Sequence, residues 1–260
     1  MPPSCYNMVN NSIGGGIVKR IILMVFIFLF STYHLTYASF FDGDTWQPIT
    51  VNPTQYIDSA SVKKISNNIL EIQMKADIPN IKKDEFLKSG VHVEYFVYKY
   101  LLDNNDKSMS LKLCSVYDAN KNNLFNLNMD EKRRDLSSSK FDELYAQAYG
   151  YYVLTHSIWE DIGQRSKSHL WLEIGNVEKL EHVNEEIYRY WFKMQPTERP
   201  DIYFMIYDEV NVTNHTYRTI YRVVFSEIHS ARQVQLVNNM PRYDYDYIEY
   251  IKVPLRRYCK

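Results

Sequence analysis

Beyond residue 38, the side chains best suited to hold a metal are six histidines, His92, His156, His169, His182, His215 and His229, and two cysteines, Cys114 and Cys259. A helical zinc motif sets two histidines four residues apart, and a zinc knuckle sets cysteines a few residues from each other or from histidine. Neither spacing occurs here. A serine hydrolase of the nucleophile-elbow type needs Gly-x-Ser-x-Gly at a strand-to-helix turn, and the chain lacks it. Phosphate-cradling loops need clustered glycines, whereas Gly43, Gly90, Gly150, Gly163 and Gly175 are scattered. The acid pairs Asp244 with Asp246 and Glu185 with Glu186 are the remaining candidates, of the type that cleaves glycosides. The expectation is a protein with no catalytic residue, no cofactor and no metal. The competing expectation is a periplasmic hydrolase whose acid/base site has no recognisable motif.

Where the chain works follows from its start. Lys19 and Arg20 form a basic flank, Ile21 to Phe30 is an unbroken apolar run, and Thr36-Tyr37-Ala38 places small residues where a signal peptidase reads. Residues 1–38 are therefore predicted to be a signal peptide, and the working protein to lie outside the cytoplasm with no transmembrane segment. Removing them takes away two of the 30 basic residues and none of the 31 acids, leaving a net charge of about −3. The short basic clusters Lys132-Arg133-Arg134 and Arg256-Arg257 do not make the basic stripe of a nucleic-acid binder. In an oxidising compartment, Cys114 and Cys259 form an even pair, which predicts one disulfide between them. Such a bond closes a loop of about 145 residues, for which chain entropy gives roughly 4–5 kcal/mol as an upper figure.

Tyrosine is frequent, with 23 in the chain. The run Tyr243-Asp244-Tyr245-Asp246-Tyr247 alternates ring and acid, which reads as an edge strand with its rings on one side. Tyrosine offers a rigid amphipathic surface at low entropic cost, so Tyr243, Tyr245 and Tyr247 are the candidate binding residues. The alternative is that these rings are buried against a sheet or helix.

Antiparallel strands must position these groups. Ile69 to Ala76 alternates, with Leu70, Ile72, Met74 and Ala76 facing one way and Glu71, Gln73 and Lys75 the other. Val91 to Tyr100 and Met109 to Asp118 flank a hairpin loop at Asp103-Asn104-Asn105-Asp106, and Leu124 to Leu127 follows another turn. Ile187 to Met194 lies over Ile69 to Ala76 without a gap. Tyr203-Phe204 then falls on Tyr95-Phe96, and Tyr221 to Phe225 on Leu113 to Tyr117, as a second copy of the meander would. Between the halves, Phe141, Leu144, Tyr145, Ala148, Tyr152, Ile158, Trp159 and Ile162 recur at helical spacing. Ser139 with Asp142 suggests a capping box, and Gly163 a C-terminal stop. The fold expected is α+β: antiparallel meander sheets with a packed helix, in two related halves. Its units are residues 39–137, a connecting helix over 138–165, and residues 166–260.

The opening Trp46-Gln47-Pro48-Ile49, the step Tyr56-Ile57-Asp58-Ser59-Ala60-Ser61-Val62 and the strand that follows resemble the bacterial surface-adhesin protein E family. The strand of Cys114, the turn Tyr117-Asp118-Ala119-Asn120 and a cysteine near the C-terminus are also similar, over roughly residues 46–128. The chain departs from that pattern at Gln73, where the family often has tryptophan, and Trp191 stands at the matching place in the second half. The resemblance implies a small antiparallel sheet with a packed helix, at a bacterial outer membrane, binding host or envelope macromolecules without catalysis. The sequence therefore leads to the expectation of an exported binding protein, periplasmic or surface-displayed. Its partner would be a protein or envelope macromolecule rather than nucleic acid, and homodimer formation stays open.

Overall fold

The structure, a computed structural model, describes residues 45–77, 92–133, 136–226, 230–237 and 240–259. The expected signal peptide, His229 and the side chains of Lys132 to Arg134 lie outside them. The first half runs β1 (Trp46–Ile49), β2 (Asn52–Asp58), β3 (Lys63–Ser66), β4 (Ile69–Asp77), β5 (Tyr95–Asp103), β6 (Ser108–Tyr117), β7 (Asn123–Arg133) and helix α1 (Ser138–His156). The second runs β8 (Trp159–Arg165), β9 (Ser168–Glu173), β10 (Glu178–Leu180), β11 (Ile187–Pro196), β12 (Ile202–Asn211), β13 (Thr216–Ser226), β14 (Ala231–Leu236), β15 (Arg242–Tyr243) and helix α2 (Tyr245–Tyr258). The first sheet is ordered β1-β2-β4-β5-β6-β7 with β3 on β4, and the second β14-β13-β12-β11-β9-β8 with β10 on β11 and β15 on β13. Every strand pair is antiparallel. The expected α+β meander in two similar halves is the fold observed.

The likeness of the halves extends to their irregularities. The β5–β6 register slips after Lys99 opposite Leu113, and the β12–β13 register after Tyr207 opposite Tyr221, 108 positions on in both strands. The β6–β7 ladder slips after Val116 opposite Phe125, and the β13–β14 ladder after Val224 opposite Gln233, by the same shift. Lys107 and His215, at the tips of matching hairpins, both adopt positive φ, 55° and 51°. Each tip residue reaches an acid in the first turns of the following helix: Lys107 to Asp142 at 2.6 Å, His215 to Glu249 at 3.3 Å. A bulge marks one residue of one strand, so bulges at matching residues mean matching chain paths.

Helix α1 is shorter than the sequence pattern predicts. It ends at His156, and Ser157 is already extended at φ −94°, ψ 151°. Ile158, Trp159, Ile162 and Gly163 open β8 and the second sheet instead of completing a helix to residue 165. A capping box is also absent: the N-cap is Ser137, whose side chain makes no capping hydrogen bond, and Asp142 is the partner of Lys107. The helix therefore closes the first half rather than linking two units.

Four layers result: first sheet, α1, second sheet, α2. One core unites the inner face of the first sheet, both sides of α1 and one face of the second sheet, including Trp191, Tyr207 and Phe225. A smaller core lies between the other face of the second sheet and α2, where Tyr190, Ile206 and Val210 meet Tyr247, Ile248, Ile251 and Leu255. From Leu144 to Tyr151 every residue of α1 is buried, because the helix is walled on both sides. Its buried Gln147 accepts from the Thr50 N–H at 3.0 Å and donates to the Pro48 carbonyl at 2.8 Å, so burial leaves neither end of its amide unpaired. Gly150 lets the helix approach the second sheet, since a Cβ there would sit 3.4 Å from Phe225.

Candidate functional site

The tyrosine-acid run is not an edge strand. Asp244 is the N-cap of α2 and accepts from the Tyr247 N–H at 2.8 Å, satisfying a helix-end donor that would otherwise lack a partner. Helical geometry then sends the three rings apart. Tyr247 is buried against the second sheet, while Tyr243 and Tyr245 remain 70% and 50% exposed. Between those two lies His215, brought up by the β12–β13 hairpin because β15 pairs with the start of β13. Its ring stacks on Tyr245 at 4.7 Å and lies 6.3 Å from Tyr243. The result is an exposed cluster of three rings, of which sequence reasoning found two and left the histidine aside.

Tyr247 instead serves a buried network. Its hydroxyl donates to Asp208 Oδ2 at 3.1 Å and lies 2.7 Å from the Tyr190 hydroxyl. Asp208 is 1% exposed. Burial raises its pKa to about 7, partly offset by hydrogen bonds from Thr219 and Tyr247 and by the charge of Arg222. A carboxyl whose pKa is raised into the neutral range is a feature that active sites share. Here, however, it is enclosed between sheet and helix, where it ties α2 down.

Matching lysines in the two halves sit among aromatic rings. Lys75 Nζ lies 4.8 Å from the Trp46 ring centre and 4.7 Å from that of Tyr95, and Tyr95 stacks on Tyr117 at 5.0 Å. The counterpart Lys193 lies 4.3 Å from Trp171, 5.7 Å from Trp159 and 5.9 Å from Tyr203, and Tyr203 stacks on Phe225 at 5.4 Å. His169 stacks on Trp171 and pairs with Asp161 at 2.7 Å. Ring faces attract these ammonium groups. The cages account for the tryptophans that open both halves.

No family model, curated protein or solved structure matches the chain. Its function must therefore be read from its own chemistry. The expected Cys114–Cys259 disulfide is not formed: both are free thiols. Cys114 is buried in β6 within the larger core, and Cys259 packs with the smaller core at the end of α2, so the second sheet separates them. Burial pushes the Cys114 thiol up to about 12, which leaves it inert at neutral pH.

The candidate acid pairs have other partners. Glu186 is gripped by Arg256, whose Nε donates at 2.7 Å, and also accepts from Tyr188, which holds its carboxyl down at about 2. Glu185 accepts from Asn214 and lies near His182. Asp244 caps a helix, and Asp246 sits exposed in its first turn. Among the described residues no group of three or more His, Cys, Asp or Glu side chains is arranged to hold a metal. No described helix is long and apolar enough to cross a membrane.

Proposed function

We propose that the chain is an exported, non-enzymatic binding protein of a bacterial cell envelope, adhesin-like in the sense of the protein E resemblance, which grips a macromolecular partner through a tyrosine-rich surface. The supporting observation is the cluster of Tyr243, His215 and Tyr245, which puts two large rings into solvent on a rigid helix start. Rigid amphipathic rings supply contact area with little entropy to lose, as recognition surfaces require. Export rests on the basic flank and apolar run at residues 19–38. Descent of both halves from one duplicated unit is part of the same proposal, supported by the matching bulges.

The test is capture of purified extracellular-matrix proteins and isolated envelope fractions on the immobilised chain. It compares the natural sequence with a Tyr243→Ala/Tyr245→Ala double variant whose melting temperature is unchanged. Saturable capture that falls at least tenfold in the variant is the expected result. Turnover in a broad hydrolase screen, or capture indifferent to both rings, would overturn the reading.

A further inference from the structure

A sheet edge is a row of unpaired backbone donors and acceptors, and natural proteins cover, shorten or charge such edges. Three of the four edges here are managed in this way. At β14, only six residues long, the Ala231 N–H donates to the Tyr151 hydroxyl at 3.1 Å. At β8, α2 lies alongside, with the Tyr250 hydroxyl donating to the Ile162 carbonyl and Arg257 pairing with Glu160. The β1 edge has four residues and touches β14. The fourth edge, β7, has eleven residues, and β6 is its only ladder partner among the described residues.

The middle of β7 lacks the charged and proline residues that usually protect an edge. Register shifts lie at Asn123/Phe125 and Asn128/Glu131, so the segment Leu124-Phe125-Asn126-Leu127-Asn128 runs between two bulges, without charge, proline or glycine. Leu124 is 40% exposed. Folded about Asn126, the segment is self-complementary. An antiparallel second copy places Phe125 opposite Leu127 twice, on the face that packs against the main core, and Asn126 opposite itself. Lys121 precedes the strand and Glu131 lies near its far end, so the same pairing sets Lys121 of each copy opposite Glu131 of the other.

We propose that β7 is a homodimerisation edge: two copies pair β7 antiparallel around a two-fold axis at Asn126, joining their first sheets into one. The contact is isologous and uses the only open long edge among the described residues, so it closes at a dimer and cannot propagate into a fibre. The proposal goes beyond the binding reading and stands or falls separately, because Tyr243 and Tyr245 belong to the other sheet.

The experiment combines sedimentation equilibrium with cross-linking of the full folded chain. The natural sequence should sediment as a dimer at micromolar concentration. Asn126→Asp sets two carboxylates face to face on the axis and should weaken association at least tenfold, with the circular dichroism spectrum unchanged. Asn126→Cys should cross-link to its own symmetry mate on mild oxidation and run as a reducible dimer. Asn123→Cys, which faces Met129 of the other copy, should not, and neither should the natural chain. A monomer at all concentrations would overturn the proposal. So would a dimer insensitive to Asn126→Asp, or equal cross-linking at 123 and 126.

Discussion

The central strands of the two sheets descend through matching registers into different surroundings. In β5 alternate residues are buried: Phe96, Tyr98, Tyr100 and Leu102 are covered, whereas Tyr95, Val97, Lys99 and Leu101 are partly open. In β12, Tyr203, Met205, Ile206, Tyr207, Asp208 and Val210 are all buried, because α1 covers one face and α2 the other. The sequence has followed the environment. Gln73, Lys99 and Asn126 on the more open face of the first sheet correspond to Trp191, Tyr207 and Val234 on the α1-covered face of the second. One backbone plan thus tolerates a one-sided and a two-sided sheet, and the side chains at a few alternating positions decide which.

The largest test of that contrast is deletion at one matched pair. Trp191→Ala removes a ring that is fully buried and should cost about 3–5 kcal/mol in urea unfolding, whereas Gln73→Ala should cost less than about 0.5 kcal/mol. Equal losses would show that the open face is covered in solution. A second test uses Asp208, which stands where the first half has Tyr100. Its folded-state pKa is raised, so the folded chain keeps a proton that the unfolded chain loses. The contribution is complete below the ordinary carboxylate range near pH 4 and is lost as pH rises through about 7. Stability should therefore fall by up to about 4 kcal/mol over that window, and Asp208→Asn should flatten the slope. A slope unchanged by the substitution would assign it to other groups.

The cages give a smaller effect. Lys75 is 4% exposed and Lys193 more open, so Lys75→Met should cost about 2 kcal/mol and Lys193→Met about 1 kcal/mol or less, read from the same unfolding curves. The smallest effect is at the hairpin tips. A double-mutant cycle on Lys107 and Asp142 should return below about 1 kcal/mol. The cycle on His215 and Glu249, a longer and also partly exposed pair, should return a comparable or smaller value.

The strands were legible in the sequence because their environment is periodic. Ile69 to Ala76 has one face in the core, and its alternation predicted both β4 and its inward set, although Lys75 on the other face is buried among rings. The overlay of Tyr203 on Tyr95 and of Tyr221 on Leu113 matches the observed registers, since the two halves keep large apolar side chains at matching places even where identities differ. What misled was periodicity shared by accident. Ile158, Trp159 and Ile162 continue the spacing of α1 but follow the break at Ser157. Tyr243 to Tyr247 alternates like a strand, yet Asp244 followed three residues later by an amide in need of a partner is a helix start. Ile248, Ile251 and Leu255 confirm that periodicity further on. The second apolar side of α1, at Tyr149 and Tyr151, had no amphipathic signature to announce it. The disulfide failed as an expectation because cysteine parity does not see the sheet between two sulfurs.

A helix shared by two walls also fixes when each wall can be finished. The chain is synthesised N-terminus first, so α1 is complete before any strand of the second sheet exists. Until β11 to β14 arrive, Tyr149 lacks the rings of Trp191 and Tyr207, and Gly150 and Tyr151 lack Phe225. A nascent or truncated chain ending near His156 therefore presents a sticky aromatic strip, and shielding by a chaperone is the demand this layer order places on the cell.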